Sequence, residues 1–222
     1  MLITFFFSVT GILLSPLLGQ YNTGRYFVIG NFLIMKWLRL CCGVKLVVEG
    51  QLPTPNHPYV VIVNHQSQWE TFFLQWFLYP VATVLKKELL SIPFFGHALK
   101  TMQAIGIDRS KPREAIKQTL EQGIDRLDKG YNLLIFPEGT RSPHGQLGNF
   151  ARGGANIAIR AEKAIIPIAH NAGKCWPSKS RIIYPGTVTL VVGQPVATAD
   201  RDPRAITQEI QDWIAEQCQR IG

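Results

Sequence analysis

From Gly43 onward, short apolar runs recur between helix-length segments and turn-forming residues. Runs of about 4–8 apolar residues bounded by turns read as strands, and their alternation with helical patterns predicts an α/β domain. The candidate strands are residues 45–49, 59–63, 82–85, 104–107, 132–136, 165–169 and 187–192. The plainest helix covers 112–129, where Ala115, Ile116, Leu120, Ile124 and Leu127 recur at helical spacing. Pro112 suits its first turn and Gly130 its stop. Further helices are expected over 203–221, with Ile206, Ile210, Trp213 and Ile214 on one face, and over 153–163. The expected fold class is α/β, with a single mixed, largely parallel sheet flanked by helices and preceded by an N-terminal two-helix membrane-associated hairpin.

That hairpin is read from the first 42 residues. Residues 2–18 carry no charge, the polar stretch Gly19 to Arg25 interrupts, and a second apolar run covers 26–35. Seventeen helical residues reach about 26 Å, slightly short of a bilayer's hydrocarbon core of about 30 Å. Two short apolar helices joined by a polar turn fit insertion into one leaflet at least as well as two spans. No basic segment precedes the run and no small-residue cleavage site stands out, so a secretory signal is not expected. The partition is therefore 1–42 as hairpin and 43–222 as the α/β domain.

Composition narrows the partners. The net charge is +8, from 23 basic and 15 acidic residues, which suits phosphorylated substrates or an acidic membrane surface. The basic residues are scattered and form no nucleic-acid-binding signature, so nucleic acid is not an expected partner. Cys41, Cys42, Cys175 and Cys218 lack metal-ligand spacing, so no metal is expected and a reduced, cytosol-facing chain is the default.

The stretch Asn64-His65-Gln66-Ser67-Gln68-Trp69-Glu70 carries the chemistry. A neutral imidazole is a base near neutral pH, and a carboxylate on its other nitrogen fixes its tautomer. Within one helix, five residues turn through about 500°, leaving the two side chains about 140° apart. They meet only if His65 lies in the turn after a strand and Glu70 on the first turn of the next helix. Ser67 to Glu70 reads as a capping box with Ser67 as N-cap and Glu70 at N3. Two readings of Glu70 stand at this point, partner of His65 or simple helix cap.

Other strand ends supply cations and a loop. Lys86 and Lys87 follow one, Asp108 and Arg109 another, and Pro137-Glu138-Gly139-Thr140-Arg141-Ser142 a third. Ligands of α/β sheets bind outside the carboxyl ends of the strands. In the loop, Gly139 allows close backbone approach, Thr140 and Ser142 offer hydroxyls, and Arg141 offers a bidentate fork for phosphate. Glu138 would repel an anion, so its expected task is to accept from a ligand hydroxyl or to orient Arg141.

These blocks together resemble the 1-acyl-glycerol-3-phosphate acyltransferase family. Asn64 to Glu70 matches its Asn-His-x-Ser-x-x-Asp block, with Glu70 where aspartate is usual. Ala104 to Arg109 corresponds to its Gly-x-Ile-x-Ile-Asp-Arg block, Phe136 to Ser142 is its Phe-Pro-Glu-Gly-Thr-Arg-Ser block intact, and residues 165–169 look like its apolar run around a proline. The segment from Lys86 through Gly96 is also typical, and the resemblance covers about residues 43–195. Arg152 stands where the family has a lysine nearby.

The resemblance implies transfer of an acyl group from acyl-CoA or acyl-carrier protein to the free sn-2 hydroxyl of a 1-acyl-glycerol 3-phosphate. His65 would be the base, Glu70 its partner, and Lys87, Arg109, Glu138, Gly139, Thr140 and Arg141 the substrate-binding set. No cofactor is implied beyond the acyl donor. Membrane association with the active site facing the cytoplasm follows from the same likeness. Glycerol 3-phosphate, another lysophospholipid or a lyso-aminolipid are alternative acceptors, and a membrane thioesterase is a more distant alternative.

Overall fold

The computed structural model describes residues 2–52, 58–108 and 110–222. The elements in chain order are α1 (Leu2–Cys42), β1 (Val44–Glu49), β2 (Val60–Val63), α2 (Trp69–Phe77), β3 (Val81–Lys86), α3 (Phe95–Thr101), β4 (Ile105–Ile107), α4 (Pro112–Asp128), β5 (Asn132–Ile135), α5 (Gly153–Arg160), β6 (Ile165–His170), β7 (Gly186–Val192) and α6 (Pro203–Ile221). All seven expected strands form, with ends shifted by at most a residue.

They make one mixed sheet in the order β1-β7-β6-β2-β5-β3-β4. Every neighbouring pair is parallel except β6 and β7. Parallel neighbours need long crossovers, and the helices between strands supply them. Alternate residues of a strand face opposite sides, so β2 feeds two cores. Val61 and Val63 join Leu38, Phe73, Leu74, Ile166 and Ile168 on the side of α1 and α2. Val60 and Ile62 join Leu133, Ile157, Ile206 and Ile210 on the side of α5 and α6. The apolar face expected of α4 is only partly realised: Ala115 and Leu127 are buried, whereas Ile116 is 67% exposed. One residue is about 100° of helix rotation, which turns Ile116 away from the surface its neighbour meets.

The hairpin forms, but its reversal is tighter than the polar stretch suggested. α1 breaks at Gly19 alone (φ 69°, ψ 169°), and residues 20–25 are already helical. That backbone region is essentially closed to other residues. The two arms, 2–18 and 20–42, run back to back. The rings of Phe7 and Tyr26 lie 4.9 Å apart, and the Thr10 and Tyr26 hydroxyls are 2.8 Å apart. A side chain at Gly11 would meet the Phe27 ring at 2.3 Å. Pro16 has no N–H for the Ile12 carbonyl, and the Ser15 hydroxyl donates to it instead at 2.8 Å.

The second arm lies on the domain. Asn31 Nδ2 donates to Gln75 Oε1 at 3.0 Å, Phe32 packs on Trp76, and Leu38 is buried in the core. Leu2, Phe5, Phe6, Leu13, Leu17, Trp37 and Leu40 remain exposed. By length and composition α1 is apolar enough to cross a membrane, consistent with membrane association. Gly19→Ala meets no steric obstacle, yet should cost about 1–3 kcal/mol through backbone strain alone. Thermal melts of the detergent-solubilised protein check this, and an unchanged melting temperature contradicts a reversal at that residue.

Candidate active site

The sheet order brings the carboxyl ends of β6, β2, β5 and β3 side by side along one edge. β2 stops at Val63, and the chain turns through Asn64, His65 and Gln66 before α2 begins at Trp69. Glu70, in the first turn of α2, is fully buried. Its Oε1 accepts from His65 Nδ1 at 2.8 Å, from Gln66 N at 3.1 Å and from Ser67 N at 2.9 Å.

Partner and cap are therefore one and the same oxygen. The capping geometry departs from expectation in detail, because Gln68 borders the helix and makes no side-chain cap. Ser67 lies one residue earlier, and its hydroxyl accepts from Trp69 N at 3.1 Å.

An ionised carboxylate only accepts, so His65 carries its proton on Nδ1 and presents a lone pair on Nε2. Nε2 has no partner among the described residues. The ring is stacked on Phe136, centroids 4.2 Å apart, and the side chain is 14% exposed. Burial pushes the Glu70 carboxyl up, but the imidazoles of His170 and His65 and the Ser67 N–H outweigh it. Its pKa therefore lies below the usual carboxylate value.

The loop after β5 braces this turn. Glu138 Oε1 accepts from His65 N at 2.7 Å, and Oε2 accepts from Gly148 N at 2.9 Å and from the Ser142 hydroxyl. Ser142 N in turn donates to His65 O at 2.8 Å. Glu138 thus accepts from protein donors on both oxygens, contacts that the sequence did not show. Gly139 takes a left-handed turn (φ 68°) with open space around its Cα. Thr140 is exposed and Arg141 half-buried. Arg141 Nε is buried and finds no acceptor among the described residues, a costly state for a charged donor unless a ligand supplies one.

Lys87 is exposed just past β3, two strands from β2 and so about 10 Å away across the sheet. Arg109 lies outside the described residues.

A family model described as Acyltransferase matches residues 45–171. The 1-acyl-sn-glycerol-3-phosphate acyltransferase of Pseudomonas aeruginosa is 43% identical over 214 residues, spanning 94% of this chain and 83% of that protein. The chain belongs to the 1-acyl-sn-glycerol-3-phosphate acyltransferase family. A chloroplastic relative, LPAT1 of Arabidopsis thaliana, is 31% identical across 78% of this chain but only 49% of its own length. The fold is that of the 1-acyl-sn-glycerophosphate (LPA) acyltransferase PlsC from Thermotoga maritima. The two superpose with a TM-score of 0.82 over 98% of this chain and 89% of that one, at 21% identity.

The sequence places Asn64 in the motif but assigns it no role, and does not single out His170. Asn64 Nδ2 donates to His170 O at 2.9 Å, and His170 N donates to Asn64 Oδ1 at 3.0 Å. The signal was available, since His170 follows an apolar strand as His65 does. His170 Nδ1 accepts from Ala172 N at 3.1 Å, so its proton sits on Nε2, which donates to Asn64 O at 2.8 Å.

Complete burial pushes the His170 pKa down, opposed by Glu70 on α2 and the Asn64 hydrogen bond, with His65 and Glu138 also facing it. Cys218 on α6 approaches its carbonyl at 4.0 Å. A folded-state pKa below the unfolded one means the unfolded chain binds more protons between the two values. Stability from neutral His170 is thus fully present above about pH 6.5 and is lost as pH falls below it. Melting temperature measured against pH should fall on that side, and His170→Gln should flatten the fall. An equally steep fall in the variant contradicts the assignment.

Proposed function

We propose that this acyltransferase moves an acyl group from an acyl thioester, acyl-CoA or acyl-carrier protein, to the sn-2 hydroxyl of 1-acyl-glycerol 3-phosphate. The product is phosphatidic acid. The observation that carries this reading is the His65 Nδ1–Glu70 Oε1 contact of 2.8 Å, which leaves Nε2 open beside the Phe136–Ser142 loop. The names of the relatives, from Pseudomonas and from chloroplasts, support the choice of acceptor.

In this scheme His65 Nε2 takes the acceptor's hydroxyl proton as the oxygen attacks the thioester carbonyl. Glu70 stabilises the imidazolium that results. Collapse of the tetrahedral intermediate breaks the carbon–sulfur bond, and the imidazolium returns its proton to the departing thiolate. The acyl group passes directly between substrates, so no enzyme nucleophile and no cofactor enters the balance.

Arg141 receives the acceptor phosphate, which would supply the partner its buried Nε lacks. Gly139 and Thr140 border that position, and Lys87 adds positive charge at the same edge of the sheet. A thioesterase acting on water would have no use for such a donor. Both substrates carry acyl chains, and the exposed apolar side of the hairpin would hold the site against the cytoplasmic leaflet where they reside.

The direct test crosses acyl donors against lysophosphatidate, glycerol 3-phosphate and headgroup-bearing lysolipids, using purified protein in detergent. Lysophosphatidate should be turned over fastest, and a preference for water or a headgroup-bearing acceptor sinks the reading. His65→Ala should lower turnover by roughly 10²–10⁴-fold. Glu70→Gln keeps an oxygen for the Gln66 and Ser67 N–H groups but removes the charge, so it should fall by about 10²-fold or more. Unchanged turnover there would reduce Glu70 to a helix cap. Arg141→Ala should chiefly raise the KM for the acceptor, and an effect confined to the acyl donor would contradict its placement.

A further inference from the structure

We propose that His170 is a positioning residue for His65, acting through the peptide that joins Asn64 to His65. The inference rests on the reading of His65 as the base. That peptide is gripped from both sides: His170 Nε2 donates to its oxygen at 2.8 Å, and its N–H donates to Glu138 Oε1 at 2.7 Å. A peptide is planar, so holding both of its polar ends fixes the rotations on either side of it. The direction in which His65 leaves the backbone follows.

The grip is built where regular pairing stops. β2 and β6 are in parallel register as far as Val63 and Ile168. Beyond that point the Asn64 amide takes over, offering its oxygen to His170 N at 3.0 Å and its nitrogen to His170 O at 2.9 Å. Side chain and backbone of residue 170 thus both end on Asn64. The imidazole cannot turn over, because Ala172 N donates to Nδ1 at 3.1 Å and a flipped ring would leave two buried groups unpaired.

A third link runs to the carboxylate. His170 Nε2 lies 4.0 Å from Glu70 Oε2, the oxygen of Glu70 that has no hydrogen-bond partner among the described residues. The polar N–H end of His170 therefore faces the open side of the group that orients His65. For packing alone an apolar side chain would serve, as along the rest of β6, where Ile165, Ile166, Ile168 and Ala169 are buried. A fully buried imidazole is costly there unless each of its polar atoms is used. Each is used: Nε2 on the turn that carries the base, and Nδ1 on Ala172 N, which fixes the ring in that orientation.

The test compares full-length wild type with His65→Ala, His170→Ala, His170→Gln and His170→Asn in detergent, with kcat expressed per folded molecule from circular dichroism. A glutamine amide reaches where Nε2 donates, whereas an asparagine amide ends near Nδ1 and falls short of the Asn64 carbonyl. Since a misplacement of about 1 Å can cost about 10²-fold, His170→Ala should lower kcat by roughly 10–100-fold, with KM for lysophosphatidate and for the acyl donor within about threefold. His170→Gln should recover most of that loss and His170→Asn little of it.

Several outcomes overturn the proposal: kcat of His170→Ala within about twofold of wild type, a loss confined to KM, or glutamine and asparagine variants that behave alike. If His170→Ala does not fold, the glutamine–asparagine pair decides alone. Full activity in His65→Ala removes the base, and this inference with it. An inactive His65→Ala beside a fully active His170→Ala refutes the inference alone.

Discussion

One carboxylate oxygen, Glu70 Oε1, organises this site by accepting three N–H groups at once. Two come from the backbone of the turn, Gln66 and Ser67, and the third from the His65 ring. The imidazoles of His170 and His65, with the Ser67 N–H, hold a buried carboxylate ionised, and the ionised carboxylate in turn selects the His65 tautomer. Starting a helix and aiming an imidazole are usually separate problems. Here a single atom answers both, so a change to Glu70 disturbs the entry to α2 and the His65 ring together. Glu138 repeats the pattern from the neighbouring loop, joining His65 N to Gly148 N through its two oxygens.

Much of this was legible in the chain. The strands declared themselves because each is a short apolar run between breakers, and burial on both faces, as at Val60 to Val63, leaves no other place for such a run. α3 went unread because it is only seven residues long and carries Gly96, too short for a period to show. The reversal at Gly19 looked like a seven-residue polar turn, since polar residues 20–23 resemble a loop until the first arm packs against them.

At the site, types and spacings pointed to His65, Glu70 and the 136–142 loop, but partners could not be counted from sequence. The protein donors of Glu138 went unread for that reason. A carboxylate beside an arginine suggests a ligand contact, and only the fold reveals two backbone amides and a hydroxyl already waiting for it. His170 was missed because it lies 105 residues from His65, a distance the parallel pairing of β2 with β6 closes.

The docking of the hairpin onto α2 has a geometric consequence. The helix that offers Gln75 and Trp76 to the second arm carries Glu70 in its first turn, five and six residues away and so about 8–9 Å along the axis. The hairpin contact and the His65–Glu70 pair therefore share a single strut. Whatever depth the apolar arms find in lipid, the imidazole is carried to a set height above it, as a plumb line hangs from its fixing.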